Sequence, residues 1–530
     1  MDMEAKKTIE AGKAILGIEF GSTRIKAVLI DEDNKPIAQG AFEWENQLVD
    51  GLWTYGIDLI WKGLQDCYID LRRDVLQQYG CEIESLAAIG FSAMMHGYMA
   101  FNEKQEILVP FRTWRNTNTG KAAAELSKLF NYNIPLRWSI SHLYQCILDG
   151  EKHVPSIKYL TTLAGYVHWQ LTGQFVLGVG DASGMIPVDP ATKTYDTEMV
   201  RKFDELIAPK GFPWKLLDIL PKSLSAGENA GCLTPEGAKL LDVSGHLKAG
   251  VPLCPPEGDA GTGMVATNAV KQRTGNVSAG TSSFSMIVLE KPLSKPYEPI
   301  DLVTTPDGSL VAMVHCNNCT SDINAWVGLF KEYQQMLGVP VDMGEIYKKL
   351  FNKALEGDAD CGGLMAYNYV SGEPVTGLAE GRPLFVRSAT DKFNLANLMR
   401  AQLYGAIGVL KIGNDILLKE ENVKVDRITG HGGYFKTAGA GQRVLAAALN
   451  SPISVMETAG EGGAWGIALL AGYLINNKGK SLADYLEEDV FAGNTGTSVV
   501  PSAEDVAGFE RYIENYKKCL PIEQAAVECK

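Results

Sequence analysis

Two short glycine-hydroxyl loops, one in each half of the chain, constrain its fold more than any other feature. The first loop follows the apolar run 14–20 and reads Gly21-Ser22-Thr23. The second follows a strand-like stretch beginning near Gly275 and reads Gly280-Thr281-Ser282. In both places a predicted strand leads into glycine, then hydroxyl residues, then a second predicted strand.

The shared pattern of these loops indicates an anion site. Glycine lets the main chain approach a ligand closely, and successive N–H groups then point into one concavity that suits a phosphate. One such loop alone is equally well a tight β-turn. Two loops in matching contexts predict two related domains that hold a polyphosphate, which favours ATP and chemistry on a phosphate.

Length and charge narrow the class of protein. The 530 residues exceed what a single core holds, so two domains are expected. The net charge of -14 argues against non-specific binding to nucleic acid, which requires a basic surface. The start of the chain lacks the pattern of a signal peptide, and no apolar run approaches about 18 residues. We therefore expect a cytoplasmic protein with no membrane or nucleic-acid partner.

Ten cysteines are too sparse for a disulfide scaffold and suit a reducing compartment. Cys316 and Cys319 form the spacing C-x-x-C, but no second pair stands at zinc-finger distance. Two thiols near the end of a strand are therefore favoured over a metal or redox site.

The order of predicted elements is that of a mixed α/β protein. Apolar positions at three- and four-residue steps predict a helix from Ile57 to Val75. Further elements are expected as strands at 14–20, 26–31, 36–44, 86–91, 275–279, 283–289 and 425–429, a β-turn-β at 98–109, and helices at 161–171, 321–337 and 394–418. A stretch rich in Pro and Gly at 249–258 predicts that the domain junction lies close by.

Asp259 is the candidate for a catalytic base. It lies near this junction, among small residues that would let a substrate approach closely. Taken alone, Asp259 followed by Ala, Gly and Thr also has the chemistry of a helix N-cap. The residues around it favour the cap.

Three other segments admit two interpretations each. Gly430 to Gly433 follows a predicted strand, and Gly460 to Gly466 repeats the pattern. Glycine-rich helix starts can approach a nucleotide, or can serve close helix packing. His96 follows a strand in Met94-Met95-His96-Gly97, where a structural histidine is the commoner case.

Together these segments resemble the FGGY family of carbohydrate kinases, in the order that the family requires, from about Ile15 to about Tyr473. The resemblance implies two actin-like (ribonuclease H-like) α/β domains with an active-site cleft between them. We expect an N-terminal, sugar-binding domain at 14–262, a C-terminal, ATP-binding domain at 263–478 and a helical tail at 479–530.

The resemblance also assigns roles to residues. Asp259 becomes the general base, and a ligand of Mg²⁺. Glu19 would hold Mg²⁺ through water, although the family usually has Asp there, one methylene shorter. ATP would contact the two loops and the adenosine segment, for which we name Gly21, Ser22, Thr23, Gly280, Thr281, Ser282, Gly432, Gly433, Glu461 and Gly462.

The substrate branch rests on Ser92 to Gly97, which resembles the Gln-Met-His-Gly stretch of xylulose kinases. Met95 and His96 are therefore expected to line the sugar site, with Asp259. Trp114-Arg115-Asn116 matches the corresponding family stretch only loosely, and is carried over as sugar-binding. Asn450 stands where many members have Asp.

The predicted activity is ATP-dependent phosphorylation of a ketopentose, D-xylulose or L-ribulose, to the 5-phosphate, feeding pentose catabolism. Dimers are common in the family, so a homodimer is expected. Two alternatives remain at this stage. One is a kinase for another ketose or an alditol, of the fuculose, rhamnulose or glycerol type. The other is a non-catalytic, actin-like ATP-binding regulator.

Overall fold

A computed structural model describes residues 3–456, 458, 462–493 and 496–529. The chain divides into two compact units. The first comprises residues 1–270, 302–311 and 461–492, and the second comprises residues 271–301, 312–460 and 493–530. Both units mix helices and strands, so the predicted α/β class is confirmed. The predicted boundaries at 262 and 478 remain predictions.

The first unit is built on a sheet with the strand order β13-β6-β1-β2-β3. Strands β1 and β2 are antiparallel, whereas β1 pairs in parallel with β6, and β6 with β13. The strands up to residue 258 are β1 (Ile15–Phe20), β2 (Arg24–Ile30), β3 (Pro36–Glu43), β4 (Gln47–Val49), β5 (Leu52–Thr54), β6 (Ala88–Ala93), β7 (Met99–Phe101), β8 (Tyr159–Thr161), β9 (Val176–Gly178), β10 (Val188–Asp189), β11 (Thr194–Tyr195), β12 (Lys222–Leu224) and β13 (Glu257–Gly258).

Helices surround this sheet. Those up to residue 266 are α1 (Met3–Glu10), α2 (Ile57–Tyr79), α3 (Gly120–Phe130), α4 (Ser139–Leu148), α5 (Leu163–Thr172), α6 (Val179–Ala182), α7 (Thr197–Ile207), α8 (Leu216–Ile219), α9 (Pro235–Leu241) and α10 (Asp259–Ala266). The predicted periodicity of α2 is confirmed, since Ile60, Leu64, Leu71 and Val75 are fully buried. The helix ends at Gly80, whose positive φ of 66° favours glycine.

The second sheet has the order β16-β17-β15-β14-β20-β21-β22. Its central strand repeats the pattern of β1, because β14 is antiparallel to β15 and parallel to β20. The strands from residue 274 onward are β14 (Thr274–Ala279), β15 (Ser283–Val288), β16 (Asp301–Thr304), β17 (Leu310–Cys316), β18 (Met365–Tyr367), β19 (Leu384–Val386), β20 (Arg427–His431), β21 (Ile453–Val455) and β22 (Thr497–Val499). The two halves are therefore related, as their loops predict.

The remaining helices are α11 (Ser321–Met336), α12 (Met343–Ala354), α13 (Leu395–Asp415), α14 (Ala440–Leu449), α15 (Gly462–Asn476), α16 (Leu482–Tyr485) and α17 (Ala503–Glu528). Helix α15 packs on β1 and β6 and belongs to the first unit, although it follows most of the second in sequence. No helix in the described part of the chain is long and apolar enough to cross a membrane.

One local expectation differs from the structure. Only isolated bridges, Tyr98 with Arg112 and Phe101 with Ile107, form where a β-turn-β was predicted, and β7 pairs instead with the distant β8. The first segment of the first unit extends to Val270, because α10 packs closely on α15.

Candidate active site

The first glycine-hydroxyl loop is the turn between β1 and β2. Three aromatic side chains hold it: the Trp44 indole donates to the Gly21 carbonyl (2.7 Å), the Tyr55 hydroxyl to the Ser22 carbonyl (2.6 Å) and the Trp114 indole to the Ser22 hydroxyl (3.2 Å). The predicted turn is confirmed. Trp114 therefore lies beside the first loop.

The neighbours of Trp114 face the hairpin of β4 and β5. The Arg115 guanidinium lies 3.7 Å from the centre of the Trp53 ring. The Asn116 amide exchanges two hydrogen bonds with the main chain of Trp53, at 2.9 and 2.8 Å. The Asn116 side chain thus braces the hairpin. Sugar contacts from Arg115 and Asn116 stay predictions.

Asp259 is the first residue of α10, directly after β13. The N-cap is Gly258, and no side chain caps the helix, so the N-cap interpretation of Asp259 is wrong. Its carboxylate instead accepts a hydrogen bond from the main-chain N–H of Met95, 3.1 Å away. Burial raises the pKa of Asp259, and the hydrogen bond from Met95 partly offsets this. A raised pKa makes the carboxylate a stronger base than an ordinary Asp.

His96 lies next to Met95, in a left-handed conformation with φ of 69°. Its Nδ1 lies 3.1 Å from the carbonyl oxygen of Gly184. A carbonyl can only accept, so Nδ1 carries a proton, and in a neutral ring Nε2 would be the acceptor nitrogen. The ring also stacks on Trp138. Met95 and His96 are therefore brought to Asp259, as the sequence predicted.

Gly184 is a candidate site residue that the sequence analysis did not identify. A Cβ built there would lie 2.6 Å from His96 Nδ1 and 2.8 Å from the Met95 methyl carbon. Only glycine leaves room for both side chains. No local pattern signals this, because Gly184 and His96 meet only in the folded chain.

Glu19, near the end of β1, lies against the first turn of α15. A Cβ on Gly463 would lie 2.1 Å from Glu19 Oε1, so this glycine makes space for the carboxylate. Burial, and after it the negative charge of Asp259, raise the pKa of Glu19 to about 7. The positive charge of Lys26 and the main-chain N–H of Ala464 act in the opposite direction. Glu19 and Asp259 are thus two electrostatically coupled carboxylates.

This pair has the chemistry of a Mg²⁺ site. Carboxylate oxygens are the protein ligands that Mg²⁺ prefers, usually with retained waters. Burial and, second, the negative charge of Asp259 disfavour the ionised form of Glu19, and a divalent cation would stabilise that form. The residues present therefore fit the ion.

The second glycine-hydroxyl loop is the turn between β14 and β15, in the second unit. The Gly280 N–H donates to the Ser282 carbonyl (2.9 Å), which closes the turn. A Cβ on Gly280 would meet nothing within 4 Å, so one side of the loop is open. Thr281 is exposed and Ser282 is half-buried.

The Gly430–Gly433 segment lies beside this loop. Strands β14 and β20 run parallel, with Ser278 opposite His431, so Gly280 and Gly432 follow the carboxyl ends of adjacent strands. Gly432 has φ of 101°, and a Cβ there would lie 2.5 Å from the carbonyl oxygen of Ala279. Neighbouring carboxyl ends of parallel strands are where α/β proteins bind ligands. Nothing lies within 4 Å of a Cβ on Gly433.

The described part of the second predicted adenosine segment lies in the first unit. Glu461 lies outside the described residues. Gly462 begins α15 in the first unit, and its nucleotide contact stays a prediction. Gly466 packs against the carbonyl of Thr262, so close helix packing explains this glycine.

Other candidates carry structural roles. Cys316 and Cys319 are buried, and burial raises the pKa of Cys319 to about 12, so both are neutral thiols. Asn450 ends α14 in a left-handed conformation, which Asn tolerates. Among the described residues, Cys146, Glu151 and His153 cluster at metal-ligand spacing, but the Arg112 guanidinium donates to both Cys146 and Glu151 there.

Comparisons with known proteins agree with this geometry. Residues 14–265 match the N-terminal domain of the FGGY family of carbohydrate kinases, and residues 275–475 match its C-terminal domain. The chain is 22% identical to a xylulose kinase of Haemophilus influenzae, over 94% of this chain and 98% of the relative.

Solved structures share the fold. A ligand-bound xylulose kinase from Lactobacillus acidophilus superposes with a TM-score of 0.78 at 18% identity, over 96% of this chain and 97% of that one. A structure described as gluconate kinase from the same organism superposes with the same TM-score, identity and coverage. The predicted actin-like fold is confirmed, but at such identity the likeness shows the fold alone.

Proposed function

The chain belongs to the FGGY family of carbohydrate kinases, and we propose that it transfers the γ-phosphoryl group of ATP to the terminal hydroxyl of a ketopentose. The observation that carries this proposal is the position of Asp259. Its carboxylate is held by Met95, next to His96 and electrostatically coupled to Glu19. A base beside a sugar-contacting pair and a cation site is what phosphoryl transfer to an alcohol requires.

Asp259 acts as the general base. As the sugar oxygen attacks the γ-phosphorus, its proton moves to the Asp259 carboxylate. The bond between the γ-phosphorus and the bridging oxygen breaks, and ADP leaves with that electron pair. The hydrogen bond from Met95 fixes one carboxylate oxygen, so the side chain need not reorient during the reaction.

Phosphate binding falls to the two glycine-hydroxyl loops, with Gly432 and Gly433 beside the second loop. Mg²⁺, carried in with ATP, would neutralise charge on the phosphates, and Glu19 and Asp259 would hold it.

The sugar is held by Met95 and His96. Nε2 of His96 accepts a hydrogen bond from a sugar hydroxyl, and Met95 packs against the carbon chain. Support for a ketopentose, D-xylulose or L-ribulose, comes from the Met-His pair and from the xylulose kinase relative. We further propose a cytoplasmic enzyme of pentose catabolism, acting as a homodimer.

A coupled ADP-release assay tests the substrate. It should include D-xylulose, L-ribulose, D-ribulose, L-fuculose, L-rhamnulose, gluconate and glycerol. We expect D-xylulose or L-ribulose to give the highest kcat/KM. A preference for gluconate or glycerol would refute the ketopentose. ATP binding without ADP release on any sugar would instead indicate a regulator.

Asp259→Asn tests the mechanism, because it keeps the shape of the side chain and removes the base. We expect kcat to fall by about 10² to 10⁴-fold, with nucleotide affinity retained. Asp242→Asn is the matched control, since Asp242 is a buried Asp of the same unit that accepts N–H bonds from His246 and Leu247. Near-normal kcat in Asp259→Asn would exclude Asp259 as the base.

A further inference from the structure

The second phosphate loop is fastened from behind by residues 319 and 320. The Thr320 N–H and hydroxyl both donate to the Gly280 carbonyl, at 3.0 and 2.7 Å. The Cys319 N–H donates to the Thr281 carbonyl, at 2.9 Å. All these residues belong to the second unit.

These bonds determine where the loop's own N–H groups point. A peptide unit is planar, and its C=O and N–H point in opposite directions. The carbonyl of Gly280 shares a peptide unit with the N–H of Thr281, and the carbonyl of Thr281 shares one with the N–H of Ser282. Fastening the two carbonyls therefore aims the two N–H groups away from residues 319 and 320.

The fastening segment is itself held by the carboxylate of Glu373. This side chain is fully buried. It accepts hydrogen bonds from the Asn318 N–H (2.8 Å), the Asn318 side-chain amide (2.8 Å) and the Asn317 N–H (3.2 Å). One carboxylate thus fixes the two residues that immediately precede Cys319 and Thr320.

Burying a carboxylate to hold a loop in place is unfavourable in free energy. Burial raises the pKa of Glu373 to about 7, and the hydrogen bonds from Asn317 and Asn318 only partly offset this. Burying a charged carboxylate lowers stability, and groups whose pKa is strongly shifted by burial are concentrated at functional sites. Glu373 lies directly behind the second phosphate loop, so we connect its burial with the function of that loop.

We propose that Glu373 is a positioning residue for the nucleotide: through Asn318, Cys319 and Thr320 it aims the N–H groups of Thr281 and Ser282 at the phosphates of ATP. The inference rests on the proposed function. Glu373 does not contact the nucleotide itself, and it acts only through the loop.

Glu373→Gln is the test variant. An amide keeps one acceptor oxygen, but it turns an NH₂ group toward the donor N–H of Asn317. We expect the Kd for Mg-ADP, measured by calorimetry, and the KM for ATP to rise about tenfold, equivalent to about 1.4 kcal/mol. The KM for the sugar should change less than twofold.

Glu523→Gln is the matched control. Glu523, on α17, is also a fully buried carboxylate of the second unit, and it accepts the main-chain N–H of Arg382. We expect it to lower the melting temperature without changing the Kd for Mg-ADP. If both variants raise the Kd for Mg-ADP equally, the effect comes from a general loss of stability of the second unit and the proposal is overturned.

Thr320→Val provides a second test in case Glu373→Gln does not fold. It removes only the hydroxyl bond to Gly280, and we expect a twofold to fivefold rise in the Kd for Mg-ADP. An unchanged Kd in Glu373→Gln, or in Thr320→Val if the first does not fold, would overturn the inference while the kinase assignment stands. Failure of the wild-type chain to bind Mg-ADP would instead overturn the proposed function.

Discussion

The carboxylate of Asp259, at the first residue of α10, accepts a hydrogen bond from the main-chain N–H of Met95, just after β6, over 3.1 Å. One contact thus joins the proposed base to the residue pair proposed to hold the sugar. A displacement of Met95 and His96 therefore also moves the base, so sugar binding and proton transfer depend on the same local geometry.

The first prediction concerns pH. Burial raises the pKa of Asp259 above the ordinary value of about 3.9, and the base must be ionised to act. Activity is therefore lost as pH falls through this raised pKa, and we expect the acid limb of kcat/KM for the sugar at a higher pH than an ordinary Asp would give. The measurement is a pH profile of kcat/KM at saturating ATP, extended into acid as far as the protein stays folded. An acid limb no higher than that of an ordinary Asp would contradict the assignment.

The second prediction concerns Glu19. Gly463→Ala places a methyl group where Glu19 Oε1 lies, at 2.1 Å, so the carboxylate must move. We expect kcat to fall at least about tenfold, and the Mg²⁺ concentration for half-maximal activity to rise. Gly472→Ala, on the same helix with its nearest contact at 3.2 Å, is the control and should stay near wild type. Equal activity of the two variants would count against Glu19 as the Mg²⁺ residue.

The third prediction concerns Gly184. An Ala there would collide with His96 Nδ1 and with the Met95 methyl carbon. We expect the KM for the sugar to rise about tenfold or more, while the Kd for Mg-ADP stays unchanged. Gly120→Ala is the control, because a Cβ there meets nothing within 4 Å. Unchanged sugar KM in Gly184→Ala would argue that His96 does not contact the sugar.

The sequence predicted those parts of the site whose signal is local. Both glycine-hydroxyl turns, the strands that flank them and helix α2 depend on turn chemistry and apolar periodicity, which neighbouring residues determine. Placing Met95, His96 and Asp259 in one predicted site needed the family resemblance as well. The residues alone favour a helix N-cap for Asp259, which the structure contradicts.

The missed parts depend on contacts between distant segments. Glu19 meets Gly463, His96 meets Gly184, and Glu373 meets Asn318, each across a long stretch of chain. A glycine that makes room for a side chain has no local pattern to distinguish it from a turn glycine. The return of α15 to the first unit is of the same kind, because strand and helix periodicity carries no information on which sheet a helix covers.

The last prediction concerns stability. Asp505, on α17, pairs with Arg400 (2.5 Å) and Arg443 (2.6 Å), and these bonds lower its pKa to about 2. Its contribution is full above the unfolded pKa of about 3.9 and is lost as pH falls towards 2. We expect Asp505→Ala to cost about 3–5 kcal/mol in urea unfolding at pH 7, whereas Asp426→Ala, which breaks an exposed pair with Arg273, costs at most about 1 kcal/mol. Equal losses of unfolding free energy in the two variants would show that the buried ion pair contributes no more than the exposed one.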